Sequence, residues 1–233
     1  MLDPSELTSA VIVGASGGIG SAFADRIEAT GRFAKVHQLS RSATGLDLED
    51  ETSILAGARR AAEGPAPTLV VVATGVLQTG LEPERSYKTM TAEHLLRDYR
   101  VNTIGPALVA KHFLPLLPRN RRTVFAALSA RVGSIGDNRL GGWHSYRASK
   151  AALNMILSNL AIEMTRSHPQ AVVAGLHPGT VDTALSEPFQ RGVAAEKLFT
   201  PAYSAERLLA VLDGLTPADS GGVFAWDGVR IPA

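Results

Sequence analysis

Short apolar runs alternate with longer amphipathic segments along the chain. Most of the runs are rich in Val, Ile and Leu with little polar alternation, which predicts strands buried on both faces of a parallel sheet. The predicted strands are Ala10–Val13, Lys35–Leu39, Leu69–Ala73, Thr123–Leu128, Ala171–Leu176 and Gly222–Ala225. Apolar residues at helical spacing between them predict helices at Ile19–Thr30, Thr52–Ala62, Thr91–Leu117, Ser145–Arg166 and Ala202–Leu212.

Repeated strand–helix–strand units favour an α/β fold, a doubly wound parallel sheet with helices on both faces. The sequence contains no internal repeat, low-complexity tract or Pro/Ser-rich linker at which a domain boundary could lie. We therefore expect residues 1–233 to form a single domain.

Composition narrows the classes of function. The chain has 233 residues, 23 Lys and Arg against 22 Asp and Glu, and no cysteine. A net charge of +1 argues against nucleic-acid binding, and the absence of cysteine excludes disulfides and thiolate zinc sites. The six histidines show no metal-ligand spacing, so we expect no metal. The apolar runs are too short to span a membrane and the N-terminus lacks a signal-peptide pattern, which predicts a cytoplasmic protein.

A glycine-rich loop follows the first predicted strand. Val11-Ile12-Val13 runs directly into Gly14-Ala15-Ser16-Gly17-Gly18-Ile19-Gly20, after which a helix pattern begins. A strand that turns through glycines into a helix presents backbone N–H groups and a positive dipole end, which suit a pyrophosphate. We expect Gly14 to permit the tight turn, Gly18 the approach of a phosphate, and Gly20 close packing of helix on strand. This pattern predicts a Rossmann-type dinucleotide site.

The residues after the second strand indicate which dinucleotide binds. An acid there would bind the ribose 2′-hydroxyl of NAD, whereas a positive group accommodates the 2′-phosphate of NADP. Leu39 is followed by Ser40-Arg41-Ser42, and no acid occurs before Asp47. Because Arg41 can bind a phosphate with two parallel hydrogen bonds, NADP is the predicted cofactor and NAD the alternative.

Tyr146 and Lys150 lie four residues apart near the start of the Ser145–Arg166 helix, so they share one helix face. A tyrosine with a pKa of about 10 is a poor base at neutral pH. A neighbouring ammonium lowers that pKa and makes proton exchange with an alcohol or carbonyl feasible.

Together with the glycine loop, these residues give the sequence a resemblance to the short-chain dehydrogenase/reductase family, and specifically to its C-factor and sniffer-type branch. The resemblance covers essentially the whole chain. It rests on the Gly14–Gly20 loop, Val101-Asn102-Thr103-Ile104-Gly105, Ser129-Ala130-Arg131-Val132-Gly133-Ser134-Ile135, Tyr146-Arg147-Ala148-Ser149-Lys150, His177-Pro178-Gly179-Thr180-Val181-Asp182-Thr183 and Phe224-Ala225-Trp226-Asp227-Gly228.

The resemblance implies roles for individual residues. Tyr146 would be the general acid that protonates a carbonyl oxygen as NADPH delivers hydride, or the base in the reverse direction. Lys150 would hold the nicotinamide ribose and lower the pKa of Tyr146, and Asn102 would help hold a water that relays protons to Lys150.

The same resemblance implies a set of cofactor-binding residues. Asp47-Leu48 would touch the adenine, Pro178-Gly179 would border the nicotinamide, and Thr183 would lie near its carboxamide. The full set is Gly14, Ser16, Gly18, Ile19, Gly20, Arg41, Asp47, Leu48, Gly75, Asn102, Tyr146, Lys150, Pro178, Gly179, Val181 and Thr183.

The sequence departs from the family pattern at two places. The carbonyl-polarising serine of the family falls at Ala130, so Ser129 is our catalytic candidate, with Ser134 or no serine as the alternatives. Ser129 reaches the site only if the strand end is bulged or shifted. In addition, Val72-Ala73-Thr74-Gly75 stands where the family usually has Asn-Asn-Ala-Gly, although Gly75 still allows close approach to the adenosine ribose.

These features predict an NADP-dependent oxidoreductase that reduces a ketone or aldehyde. Residues 185–201 combine aromatic and charged side chains and are expected to form a lid over the substrate. One alternative is a dinucleotide-binding signalling or regulatory protein with little turnover, and another is an epimerase or dehydratase. On family analogy, we expect a homodimer or homotetramer formed through the Asp98–Leu117 and Ser145–Arg166 helices.

Overall fold

The computed structural model describes residues 7–77, 82–191 and 194–233. Its strands are β1 (Ser9–Val13), β2 (Lys35–Leu39), β3 (Pro67–Val72), β4 (Thr123–Leu128), β5 (Ala171–His177), β6 (Thr180–Val181), β7 (Leu198–Phe199), β8 (Val223–Ala225) and β9 (Arg230–Ile231). Its helices are α1 (Gly18–Thr30), α2 (Arg41–Thr44), α3 (Glu51–Ala62), α4 (Ala92–Tyr99), α5 (Gly105–Phe113), α6 (His144–Met164) and α7 (Pro201–Gly214).

The main sheet has the strand order β2-β1-β3-β4-β5-β8-β9. All neighbouring pairs are parallel except β8 and β9, and β9 is a two-residue strand that the hydrophobic pattern did not predict. The predicted doubly wound parallel sheet is confirmed. Because the chain leaves β1 in one direction for β2 and returns past it to β3, a crevice opens at the carboxyl ends of β1 and β3.

The core consists of two apolar layers, one on each face of the sheet. Along β1, Val11 and Val13 face one layer and Ala10 and Ile12 the other, as the two-residue period of a strand requires. Buried residues of α3, α5 and α6 fill the first layer, and those of α1 and α7 fill the second. Burial on both faces explains why these strands lack polar alternation in the sequence.

The predicted helix Thr91–Leu117 is wrong as a continuous α-helix. α4 passes at Arg100–Ile104 into a turn of π-helix before α5 begins, and the Gly105 N–H bonds back to the Arg100 carbonyl. Pro106 is the physical reason, since it has no N–H to offer the carbonyl four residues earlier. The interruption matters because Asn102 lies in the π turn.

Among the helices of residues 7–77, 82–191 and 194–233, none combines the length and the apolar character of a membrane span. Within the same ranges, no three His, Asp or Glu residues are grouped so that they could hold a metal ion.

The packing at Gly20 generates a test of the loop. A Cβ at this position would lie 2.1 Å from the Gly14 carbonyl oxygen, so helix and loop would have to separate. We expect Gly20→Ala to lower the free energy of unfolding by about 1–3 kcal/mol, the usual cost of overpacking. Urea unfolding measures the change. Gly64→Ala is the matched control, because its Cβ would meet no atom within 4 Å, and an equal loss in both variants would contradict the packing argument.

Candidate active site

A cleft of about 630 Å³ opens at the carboxyl ends of β1, β2 and β3. Predicted cofactor-binding residues make up much of its wall: Gly14, Ser16, Arg41, Asp47, Leu48 and Gly75. The strand order therefore brings together residues that are far apart in the sequence.

The glycine loop has the geometry that a bound pyrophosphate requires. Gly14 has a φ of +90°, a conformation that favours glycine, and its N–H bonds to the Leu39 carbonyl. Gly17 precedes α1 and offers its first turn no side-chain cap. Within the described residues, the N–H groups of Gly18, Ile19 and Gly20 bond to no carbonyl of the preceding loop. These open donors at the positive end of a 13-residue helix fit a dinucleotide phosphate.

Arg41 and Asp47 both line this cleft but differ in whether their side chains already make hydrogen bonds. The Asp47 carboxylate accepts a hydrogen bond from the Glu49 N–H at 3.0 Å. Arg41 is exposed at the start of α2, where Ser40 caps the helix, and its guanidinium bonds to no described residue. A free cation therefore faces the cleft.

A second pocket of about 230 Å³ adjoins the loop on its other side. Predicted cofactor and catalytic residues line it: Ile19, Ser129, Tyr146, Pro178, Gly179, Val181 and Thr183. Gly18 lies between Gly17 of the cleft wall and Ile19 of the pocket wall. A Cβ added at Gly18 would lie only 2.9 Å from Cγ2 of Thr183, which lines the pocket. Leu185, Ser186 and Phe189 of the predicted lid also line the pocket, whereas residues 192 and 193 lie outside the described part of the chain.

Tyr146 and Lys150 occupy one face of α6, as their spacing predicts. The Lys150 Nζ lies 5.8 Å from the centre of the Tyr146 ring and donates to the Leu128 carbonyl at 2.8 Å. The Tyr146 hydroxyl bonds to no described residue and faces the pocket. A proton donor is therefore free at the point where a ligand would enter.

Asn102 is held by three hydrogen bonds. Its Oδ1 accepts from the Val76 N–H at 2.8 Å, and its Nδ2 donates to the Val76 carbonyl at 2.9 Å and to Ser149 Oγ at 3.1 Å. Asn102 Oδ1 and Lys150 Nζ lie 3.4 and 3.5 Å from the point where a Gly75 Cβ would be. Glycine at position 75 thus leaves space directly in front of both groups.

Burial governs the charges at this site. It raises the pKa of Tyr146, and the Asp98 carboxylate raises it further. It lowers the pKa of Lys150 to about 8, although Asp98 opposes this change. The lowering of the tyrosine pKa by Lys150, which the resemblance implies, stays a prediction, and burial is the largest cause acting on the phenol in the protein alone.

Asp98 is fully buried, and its carboxylate oxygens make no hydrogen bond with the described residues, although Oδ1 lies 3.9 Å from Arg97 Nη1 in an ion pair. Burial raises the pKa of this carboxyl to about 6, against the opposing charges of Arg97 and His94. Asp98 was not predicted as a site residue, although His94, Asp98 and Asn102 form a polar stripe at helical spacing. Arg97 was not predicted either; it lines the larger cleft, and its two buried terminal nitrogens make no hydrogen bond with the described residues.

Glu84 holds the start of α6. Trp143 precedes this helix with a φ of +49° and supplies no side-chain cap. The buried Glu84 carboxylate accepts instead from the Ser145 N–H at 3.2 and 3.3 Å and from the Ser145 hydroxyl. Tyr146 follows directly, so Glu84 fixes its position. No sequence signal indicates this role, because Glu84 is 61 residues away in an irregular segment.

The serine candidates are engaged elsewhere. β4 ends without a bulge, and the Ser129 hydroxyl donates to Asn154 Oδ1 at 2.6 Å, although the residue lines the pocket. Ser134 Oγ accepts from the Asp137 N–H at 3.0 Å, and Ser134 is not part of the pocket wall. Ala130 lines the pocket without any polar group.

The role of Glu84 generates a second test. Burial pushes the pKa of this carboxyl up, but hydrogen bonds from Ser145 and the charge of His94 outweigh it and lower the pKa overall. We expect Glu84→Ala to lower the free energy of unfolding at pH 7 by about 1–3 kcal/mol, because the Ser145 donors lose their acceptor. Urea unfolding at several pH values measures it.

The loss should shrink in acid, since a carboxyl with a lowered pKa stabilises above its ordinary pKa and stops doing so as the pH falls through the lowered value. Glu84→Gln keeps an acceptor and should lose less. Exposed Glu163→Ala on the same helix is the control and should stay within about 0.5 kcal/mol of the wild type. A Glu84→Ala loss no larger than that of the control would contradict this role.

Several known proteins are similar to this chain in sequence or in fold. The chain is 32% identical over 185 residues to 1-hydroxy-2-glutathionyl-2-methyl-3-butene dehydrogenase of a Rhodococcus species, covering 79% of this chain and 76% of the relative. It is 33% identical over 139 residues to C-signal of Myxococcus xanthus, covering 59% and 78%. The NADPH-bound carbonyl reductase from chicken fatty liver has the same fold, with a TM-score of 0.82 at 24% identity over 97% of this chain and 99% of that one.

Residues 8–193 match the family model for short chain dehydrogenase, which is most of the chain. The likeness to C-signal supports the resemblance to the C-factor and sniffer-type branch. Fold, loop and helix pair thus agree with the match, and the chain belongs to the short-chain dehydrogenase family.

Proposed function

We propose that this protein is an NADP-dependent carbonyl reductase, which uses Tyr146 as the general acid. The observation that carries the proposal is the free hydroxyl of Tyr146, which faces the pocket with Lys150 beside it on α6. The adjoining cleft offers the glycine loop and the unpartnered Arg41 to a dinucleotide.

The pKa of Tyr146 supports the direction of reduction. Because burial keeps the phenol neutral at physiological pH, it can donate a proton to a carbonyl oxygen. NADPH, when bound, supplies the hydride to the carbonyl carbon. Tyr146 gives up its proton to the oxygen, and the product is an alcohol.

Lys150 and Asn102 prepare this proton transfer. At pH 7 most of Lys150 is charged, since its pKa is about 8, and one hydrogen bond to Leu128 leaves two N–H donors free. These donors suit the hydroxyls of a ribose in front of Gly75, and their charge stabilises the phenolate that Tyr146 becomes. Asn102 holds the segment around Val76 and thereby the ribose site.

The pocket suggests an apolar carbonyl compound as substrate. Trp143 and Phe189 pack edge to face with ring centres 5.1 Å apart, and both line the pocket. Phe189 belongs to residues 185–201, which we propose to act as the lid. We also propose a homodimer or homotetramer through α4–α6, where Ile104, Met155 and Ile162 leave large apolar side chains exposed.

A second candidate function is dinucleotide-dependent signalling with little turnover. The 33% identity to C-signal and the missing hydroxyl at Ala130 favour it. Dinucleotide binding without carbonyl reduction would support this candidate.

Arg41 provides the test of cofactor choice. We expect NADPH to bind at least tenfold more tightly than NADH, about 1.4 kcal/mol, and Arg41→Ala to remove most of that preference by losing a charged hydrogen-bond donor. Fluorescence titration with each dinucleotide measures it. Arg59→Ala, which removes an exposed arginine outside the cleft, should leave both affinities unchanged. Equal NADPH and NADH binding by the wild type would contradict the role of Arg41.

Tyr146 provides the test of the chemistry. We expect the wild type to oxidise NADPH in the presence of 4-nitrobenzaldehyde or acetophenone, and Tyr146→Phe to lower kcat by about 10²- to 10⁴-fold because the proton donor is lost. NADPH affinity should change less than threefold, which shows that the variant is folded. A Tyr146→Phe variant as active as the wild type would overturn the mechanism, and a wild type that binds NADPH but reduces neither probe would favour the signalling function.

A further inference from the structure

The pocket has few hydrogen-bond donors left for a substrate. The Ser129 hydroxyl already donates to Asn154 Oδ1. The hydroxyls of Thr183 and Ser186 each donate to the Val181 carbonyl. Ala130 contributes no donor. A carbonyl oxygen has two lone pairs, and as it gains negative charge in reduction, two donors stabilise it better than Tyr146 alone.

His177, the last residue of β5, lines the same pocket. Within the described residues its ring makes no hydrogen bond, and its Nδ1 is sealed from solvent without a partner. Nε2 makes no hydrogen bond with the described residues either but is accessible to solvent, so it is the ring nitrogen that a ligand can reach. The mechanism proposed above makes no use of this side chain.

His177 lies beside the position that lacks a hydroxyl. Leu128 pairs with Leu176 across β4 and β5, and the Ser129 N–H continues the ladder to the Leu176 carbonyl at 2.7 Å. The ladder therefore places His177 opposite Ser129, one residue before Ala130, and all three residues line the pocket at this edge of the sheet. Adjacent strands lie about 4.8 Å apart, so an imidazole from β5 can occupy space that a side chain from β4 leaves empty.

The environment of the ring determines where its proton lies. Burial lowers the pKa of His177 to about 4; Arg131 lowers it further and Asp227 opposes this, so the ring is neutral at pH 7 and carries one N–H. A buried N–H without an acceptor is rarer in proteins than a buried acceptor without a donor. The proton is therefore favoured on Nε2, with Nδ1 bare, and Nε2–H becomes a donor at the pocket.

We propose that the Nε2–H of His177 donates the second hydrogen bond to the substrate carbonyl oxygen, beside the Tyr146 hydroxyl. His177 keeps its proton throughout, and the proton found in the alcohol comes from Tyr146. The inference rests on the proposed carbonyl reductase function and adds to it the residue that polarises the carbonyl. It assigns to β5 a task that a hydroxyl at position 130 of the β4 end would otherwise perform.

Substitutions at two positions test this role. We expect His177→Phe, which keeps a planar ring without an N–H, to lower kcat for 4-nitrobenzaldehyde by about 10²- to 10³-fold, as loss of one such donor does. NADPH affinity should remain within threefold of the wild type. His177→Gln places an amide N–H near the former Nε2 and should recover part of the loss.

Ala130→Ser in the His177→Phe background is the sharper measurement. A serine there restores a donor from the neighbouring strand, so kcat should rise at least tenfold above that of His177→Phe, a recovery that a structural role for His177 would not produce. Thr180, which also lines the pocket and makes no side-chain hydrogen bond with the described residues, is the competing donor. Thr180→Val should lower kcat much less than His177→Phe does.

The outcomes separate the two proposals. A His177→Phe variant with wild-type kcat, or a loss in Thr180→Val that equals or exceeds that of His177→Phe, would overturn the role of His177 and leave the reductase standing. Absence of recovery in both His177→Gln and the Ala130→Ser double variant would also overturn it. If the wild type reduces neither carbonyl probe while binding NADPH, the reductase function fails and this inference fails with it.

Discussion

Burial of the parallel sheet on both faces is the constraint on which the rest of the structure depends. The residues of β1, β4 and nearly all of β3 and β5 are buried, and helices must cover both sides. Polar chemistry therefore has no place along these strands, and it collects just beyond their carboxyl ends. The Gly14 loop, Gly75, Ser129 and Pro178-Gly179 meet there because each directly follows a buried strand.

The position of α6 along this edge depends on buried charge. Glu84 accepts hydrogen bonds from the Ser145 N–H and hydroxyl in the first turn of the helix, where Trp143 supplies no side-chain cap, and Tyr146 is the next residue. Leu128 holds Lys150 one turn later. Asp98, which accepts no hydrogen bond from the described residues, keeps negative charge near both Tyr146 and Lys150 and opposes the loss of the Lys150 proton. Buried charges of this kind are costly to place, but they hold a phenol and an amine in defined protonation states.

The position of Tyr146 and Lys150 on one helix face predicts a lowered pKa for the tyrosine, whereas burial raises the pKa of Tyr146. Proximity to an ammonium lowers the pKa of a phenol, whereas transfer of the phenol out of water raises it, and burial is the largest cause of the raised pKa of Tyr146. Burial thus keeps the Tyr146 phenol protonated in the protein alone. The neutral form of His177 has the same origin, since desolvation of the ring exceeds the attraction of Asp227.

Much of this protein was determined by the sequence alone. The apolar runs predicted the four central strands within two residues of their observed ends, because burial on both faces favours apolar side chains at nearly every position of a strand. The family followed from the glycine loop, Tyr146 and Lys150, since these are local patterns too. Only the tertiary structure decided that Glu84 caps α6 across 61 residues and that the Ser129 hydroxyl turns to Asn154. Those outcomes depend on contacts between distant segments and on desolvation, and neither leaves a pattern that can be read along the chain.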